Sequence, residues 1–361
     1  MGSVTGEHHP LNNGFDYYFG YNMWESPFYN ATNVWENFKP AGMIKRYNTD
    51  VFTEKALGFI KKAIEEDHPF YVQIHYHAVH APLEPRAPDQ YYNRFGSESF
   101  VLNNFYAHVF AVDESVGRLY EYLEKRGAAE NTMFVFTSDN GGAVGGRSSL
   151  PGNAPYVGQK GMYALGGIRT PLVLYWPEGT DRPHVNRQLV STLDILPTII
   201  DAAGMEVPEG LDGKSLLPCL QKKNHKSVHE YLLWSGIHAR AWGFMSYNSL
   251  LPHLEAREKA PSSWVVIKDG WMLRFVDAIP RGLYKDLPGG KSGTTELFDI
   301  RKDLKESENL LELEPGKSEE LDSLWNAHAK YYPPPVRWRR EKWVSLVPDD
   351  NRYLSDSMNN K

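Results

Sequence analysis

Three groups of residues in this chain have side chains able to do chemistry, and each stands just past an apolar run. The first is His75, His77 and His80, within QIHYHAVHAPLEP. Three histidines so close together have the composition of a metal site. An extended backbone, however, puts His75 and His77 on one face and carries His80 beyond them, onto a loop stiffened by proline. His80 is therefore the functional candidate, and His75 reads as a hydrogen-bonded core or edge histidine. The second group is Asp139-Asn140-Gly141-Gly142. A carboxylate followed by an amide carbonyl offers two hard oxygen donors of the kind Ca²⁺ or Mg²⁺ takes, and the glycines let the chain turn behind them. The same four residues also read as a simple turn. The third is Lys160 in GQKGMYALGGIRTP, with Gly166, Gly167 and Arg169 downstream. A lysine on a glycine-rich loop either holds an oxyanion or is merely solvated. It does not belong to a phosphate-binding P-loop, because GxxxxGK[ST] occurs nowhere.

Strands and helices must hold these groups. From Asp50 to Glu66 the apolar positions Val51, Ala56, Leu57, Phe59, Ile60, Ala63 and Ile64 follow a 3.6-residue period, which predicts an amphipathic helix. Phe70 to Tyr76, rich in β-branched and aromatic residues, reads as a buried strand leading into the histidine loop. A second helix is expected over Asn103–Lys125, stopped by Gly127. Thr132–Thr137 reads as a strand that ends at the DNGG turn, and Pro171–Trp176 as the strand after the glycine-rich loop, followed by a helix over Ser191–Ala203. This order is an α/β pattern and predicts parallel pairing, with functional groups beyond strand ends. After about Pro218 the runs HEYLLW, SSWVVIKDGWMLRFV and TELFDI, separated by Gly, Pro and Asp, predict a smaller antiparallel sheet, closed by a helix near Ser318–Tyr331. The expected organisation is an α/β domain over 1–220, a small α+β domain over 221–332, and a surface-wrapping or mobile tail over 333–361. Residues 11–47, rich in Asn, Tyr, Trp and Gly, read as an irregular segment that packs its aromatics on something else.

Composition narrows the function. The 361 residues hold 39 Lys plus Arg against 45 Asp plus Glu, a formal charge of −6. That balance argues against a nucleic-acid partner, which calls for clustered Lys and Arg; the short basic run Arg337–Lys342 reads as solvated surface. No apolar run approaches the roughly 20 residues needed to span a bilayer. The opening MGSVTGEHHP has neither a basic nor an apolar leader region. The single cysteine, Cys219, excludes an internal disulfide, and no zinc spacing is present.

The order of the three groups carries more than any one of them. An HxPL-type loop, an apolar strand ending TSDNG, then a lysine, five residues and GGxRxP before another apolar strand resembles the sulfatase family of the alkaline phosphatase superfamily. NGFDYYFG at Asn13–Gly20, AVDESVGRL at Ala111–Leu119, LDILPTI at Leu193–Ile199, DGKSLLP at Asp212–Pro218 and TELFDIRKDLKESENL at Thr295–Leu310 extend the likeness over roughly residues 10–312. HPLNNGFDYYFG and NAPYVGQK look most like the arylsulfatase and N-acetylgalactosamine-6-sulfatase branch.

The resemblance implies an alkaline-phosphatase-like fold: a mixed, mostly parallel sheet flanked by helices, plus the small antiparallel C-terminal domain. It implies hydrolysis of sulfate esters, with an aryl or saccharide sulfate as the partner. Asp139 and Asn140 are then two ligands of a bound Ca²⁺ (Mg²⁺ is the alternative), and Lys160 and His80 contact the sulfate, whose spreading negative charge they can stabilise. Arg169 is expected to hold the loop. Where the family usually has Glu this chain has Leu165, which puts a supporting ion pair or hydrogen bond in question.

Half of the family's site has no counterpart here. The nucleophile is a formylglycine made from a CxPxR or SxPxR motif, and neither occurs. Cys219, in LLPCLQKK, lacks the proline and arginine that the modification needs. Also missing are the paired aspartates that complete the metal shell and the GKWHLG block. The expectation is an N-terminally incomplete sulfatase, binding Ca²⁺ weakly or not at all and inactive alone. Two other readings stay open: a phosphoric or phosphonic ester hydrolase of the same superfamily, and a non-catalytic protein that binds a sulfated glycan or a partner. The sequon Asn30-Ala31-Thr32 is compatible with export, as is usual for such sulfatases.

Overall fold

The computed structural model describes residues 6–22, 27–143, 150–180, 183–221, 226–236, 263–276 and 294–331. The chain folds as two compact units, one holding the described residues up to Ala129 together with Leu150, the other starting at Glu130. The expected tail over 333–361 and the basic run Arg337–Lys342 lie outside the described residues.

In the first unit three short strands, β1 (Phe19–Tyr21), β2 (Val34–Glu36) and β3 (Lys39–Pro40), form an antiparallel meander. Helices α1 (Asn48–Glu65), α2 (Asp89–Tyr92) and α3 (Phe100–Lys125) follow. The aromatics of the early segment pack on the helices as expected. Phe19 and Tyr21 meet Phe52 of α1 edge to face at 5.6 and 5.3 Å, and Phe28 stacks on His108 of α3 at 4.1 Å. Ser99 caps α3 by accepting from Leu102 N, and Gly127, at a φ of 71°, follows the helix end as a left-handed stop.

The strand expected over residues 70–76 is not formed. Its residues alternate between half-buried and exposed, with Tyr71, Gln73 and His75 outward, but no other described strand pairs with them. An alternating segment needs a hydrogen-bonded neighbour to become a strand, and the local pattern cannot supply one.

The second unit holds β4 (Phe134–Thr137), α4 (Leu165–Ile168), β5 (Leu172–Tyr175), α5 (Ile195–Ala202), α6 (Leu217–Gln221), β6 (Tyr231–Gly236), β7 (Ser263–Lys268), β8 (Trp271–Val276), β9 (Thr294–Asp299) and α7 (Pro315–Ala329). A capping box on Ser191 and Asp194 starts the turn that leads into α5. β4 and β5 pair antiparallel, and every ladder among the described residues is antiparallel, so the expected parallel pairing is corrected. The reason is the connection. Parallel neighbours need a long crossover, usually a helix, and the segment from β4 to β5 is a folded loop whose described part holds only four-residue α4. One face of this ribbon exposes Phe136, Val173 and Tyr175.

The small antiparallel sheet is present, in the order β6-β7-β8-β9. Its strict alternation divides the side chains between two cores. Trp264, Val266, Leu273 and Leu297 face α7, where Trp264 stacks on Trp325 at 4.9 Å. Val265, Ile267, Met272 and Phe298 face the other way and pack on Leu165 of α4. Burying each such side chain contributes about 1.5–3 kcal/mol. Among the described residues no helix is long and apolar enough to cross a membrane.

Candidate functional site

His80 lies in the first unit, on a loop held from beneath by α3. Asn104 accepts from Ala87 N at 2.9 Å and donates to Leu83 O. His108, fully buried, receives Tyr47 Oη–H on Nδ1 at 2.6 Å and donates from Nε2 to Leu83 O at 3.1 Å. Accepting on Nδ1 needs a neutral imidazole, and burial pushes the His108 pKa down to about 4 although the bond to Leu83 O favours the charged form. On the loop, His80 N donates to His77 O at 2.8 Å and His80 Nδ1 to Ala81 O at 2.6 Å. The second bond sets the tautomer, making Nε2 the acceptor nitrogen of the neutral ring. The imidazole of His80 is exposed.

Of the three histidines, His77 and His80 lie together with ring centroids 5.7 Å apart, and His75 does not join them. His77 packs edge to face on Phe28 at 4.8 Å, and burial, reinforced by His80 and His108, lowers its pKa to about 4. His75 is exposed. His77 is thus the core histidine of the group, a place the sequence reading gave to His75.

Asp139, Asn140 and Lys160 belong to the second unit, and the fold brings the turn and the lysine loop together. β4 ends at Thr137, whose hydroxyl donates to Pro171 O at 2.9 Å; Ser138 Oγ then donates to Asn140 O at 2.9 Å and closes the turn. Gly141 N donates to Gly167 O at 3.0 Å, and Lys160 N to Gly142 O at 3.4 Å. The approach is so close that a Cβ on Gly141 would lie 1.7 Å from Gly166 O, and one on Gly166 would lie 2.5 Å from Val157 O. Glycine at these two positions is a packing requirement.

Asn153 completes the junction. Its Oδ1 accepts from Gly142 N at 2.8 Å while its Nδ2 donates to Gly142 O at 2.9 Å and Gly158 O at 3.0 Å. Sequence reasoning missed this residue, although an Asn two positions before a proline in a loop is a signal for side-chain to backbone bonding. Arg169 lies over the Tyr156 ring at 4.6 Å, which fits its expected loop-holding role.

Leu165 is buried in the apolar cluster beneath the sheet, and its backbone N–H, at the start of α4, donates to Glu306 Oε1 at 2.7 Å. A carboxylate therefore supports this point of the loop after all, from a residue 141 positions away. Left without that acceptor, the buried amide would cost about 1–3 kcal/mol.

Asp139 is exposed and Asn140 half-buried, with Asn140 Nδ2 turned onto Gly141 O at 2.9 Å. They are oxygen donors of the right type, but among the described residues no cluster of three or more His, Cys, Asp or Glu could hold an ion. Ca²⁺ takes about 6–8 oxygens, so this pair is a partial donor set. Cys219 is buried, with Sγ donating to Gln188 Oε1 at 3.3 Å, as expected of a structural thiol.

Comparison with known proteins bears on the geometry. The family model described as Sulfatase matches residues 2–205. An uncharacterized sulfatase, YdeN, of Escherichia coli (strain K12) is 38% identical over 232 residues, covering 63% of this chain and 40% of YdeN. The N-acetylgalactosamine-6-sulfatase of Homo sapiens is 30% identical over 237 residues, covering 59% of this chain and 43% of that enzyme. The chain thus spans less than half the length of these relatives. Among solved structures, that of Ps i-CgsB superposes with a TM-score of 0.74 at 23% identity, covering 99% of this chain and 74% of its own. It has also been solved in complex with k-i-k-neocarrahexaose. BT4656, solved with D-Glucosamine-2-N, 6-O-disulfate, superposes with a TM-score of 0.59 at 19% identity. These likenesses carry the alkaline-phosphatase-like fold.

Proposed function

The chain belongs to the sulfatase family, and we propose that its Asp139–Gly142 turn and Lys160 loop are the part of a sulfate-ester hydrolase that receives the sulfate group of an aryl or saccharide sulfate. The observation that carries this reading is the docking of the Lys160 loop on the Asp139–Gly142 turn through backbone bonds and glycine contacts. A cationic amine and two oxygen donors then sit on one rigid piece of backbone, the pre-organisation that stabilising charge on a sulfate ester requires.

In this reading the Lys160 ammonium offsets charge on the sulfate oxygens; a sulfate contact by His80 rests on the family resemblance alone. Asp139 Oδ and Asn140 Oδ1 are two ligands for Ca²⁺ or Mg²⁺, an ion that supplies further charge neutralisation when bound. Two ligands give weak affinity. Because neither CxPxR nor SxPxR occurs, these 361 residues alone bind sulfated ligands without turning them over.

Calorimetric titration of the purified chain with a sulfated saccharide and with inorganic sulfate tests this. Saturable binding, weakened at least tenfold by Lys160→Ala, is the expected result, with no sulfate released from an aryl sulfate above background. Absence of saturable binding overturns the site. Release of sulfate that stops on chelation and on Lys160→Ala overturns the inactivity.

A further inference from the structure

The face of the C-terminal sheet that meets α4 packs Val265, Ile267, Met272 and Phe298 around one buried ion cluster. Arg274, on β8 between Met272 and Val276, is 1% exposed on that face. Its Nη2 donates to Glu296 Oε2, its cross-strand partner on β9, at 3.0 Å; its Nη1 pairs with Glu306 and reaches Tyr163 O at 3.3 Å. The guanidinium lies over the Phe298 ring at 5.1 Å. Its Nε is buried with no acceptor. Burying an ion pair and leaving a donor unmet is costly compared with apolar residues of the same volume, so packing alone does not account for it.

Glu306 accounts for it. Its carboxylate is as buried as Arg274, and it uses one oxygen for Arg274 and the other for Leu165 N. Leu165 opens α4, whose N-cap position is Ala164, a residue without a side chain that could cap. The helix is short, and its last residues precede Arg169 and β5. Five residues upstream of Leu165 is Lys160. Glu306 thus fastens the one described helix of the lysine loop to the sheet from outside the loop.

We propose that Glu306 is a positioning residue for Lys160, a buried two-sided acceptor that ties the lysine loop to Arg274 of the C-terminal sheet. The sulfatase site would then depend on a residue of the small sheet's own segment, which touches no sulfate. The consequence for sulfate binding rests on the role given to Lys160 above; the tie itself does not.

Native-state hydrogen exchange tests the tie without any ligand. The quantity to read is the protection of the Gly166, Gly167, Ile168 and Arg169 amides relative to β7 and β8 amides of the same protein. Glu306→Ala should lower that ratio at least tenfold. Leu297→Ala, which removes a buried side chain from the opposite face of the sheet, should leave it unchanged. Glu306→Gln keeps the volume and a single good acceptor and should fall between, and it answers the question if the alanine variant does not fold. An unchanged ratio in the Glu306 variants, or the same fall in Leu297→Ala, overturns the proposal. Titration with inorganic sulfate should show Glu306→Ala weakened about tenfold and Glu306→Gln partly rescued. Equal sulfate affinity in wild type and Lys160→Ala overturns the role of Lys160 instead, and the exchange ratio is read independently of it.

Discussion

The loop that carries His80 and the loop that carries Lys160 are held in place by opposite means. The His80 loop is propped by side chains of one neighbouring helix: Asn104 and His108 of α3 reach up to Leu83 and Ala87. The Lys160 loop is held by the absence of side chains, since Gly141 and Gly166 let backbones touch, and by polar groups brought to it, Asn153 from within and Glu306 from far along the chain. A loop propped by titratable, hydrogen-bonding side chains responds to pH and to loss of a single acceptor. The backbone contacts of the Lys160 loop tolerate pH but not added volume, whereas its tie to Glu306, a carboxyl whose pKa burial raises, is itself sensitive to acid.

The largest way to test that contrast is Gly141→Ala. Its methyl group would sit on Gly166 O, so the turn and the lysine loop must separate, with an expected loss of about 3 kcal/mol or more in urea unfolding. A loss below about 1 kcal/mol would show that the junction is looser than the distances imply.

Acidification should act on the other loop. His108 has a folded pKa of about 4 against an unfolded value near 6.5, so between those limits the unfolded chain takes up a proton that the folded chain refuses. Stability falls as pH drops through that window, by about 3 kcal/mol from His108, and His77 adds to it in the same direction. Exchange measured at pH 7 and pH 5 should show protection lost around Leu83–Ala87 and largely kept at Gly141, whose amide bonds to the backbone carbonyl of Gly167. The reverse pattern would sink the comparison.

The smallest effects come from paired truncations. Asn104→Ala leaves the buried Ala87 N–H and weakens the hold on Leu83 O, for about 2 kcal/mol; Asn153→Ala acts in a more exposed setting, where water replaces part of the loss, for about 1 kcal/mol. Thermal melts of the two variants would rank them, and equal shifts would mean that burial does not separate the two loops.

Much of this was legible in the residues. The 3.6-residue period gave α1 and α3 to within three residues at each end, because burial in a helix repeats with its turn, and the strand-like runs SSWVVIKDGWMLRFV and TELFDI, set apart by Gly, Pro and Asp, marked β7, β8 and β9. The glycines around Lys160 and the DNGG turn were visible for the same local reason, and the motif order identified the family. Pairing was legible in the small C-terminal sheet but not before it. Residues 70–76 have a strand's alternation without a described neighbour, and β4 and β5 run antiparallel because of the folded segment between them.

What the sequence by itself determined is the set of chemical groups and the elements on which they stand: His80, Asp139, Asn140 and Lys160 beyond apolar runs, with no nucleophile motif among the 361 residues. Tertiary structure alone decided what holds them. That Leu165 keeps its support through Glu306, and that a neutral His108 props the His80 loop, follows from closing long stretches of chain on one another. Which distant acceptor a buried N–H finds depends on where the backbones meet after packing, and no local period or propensity encodes that meeting point.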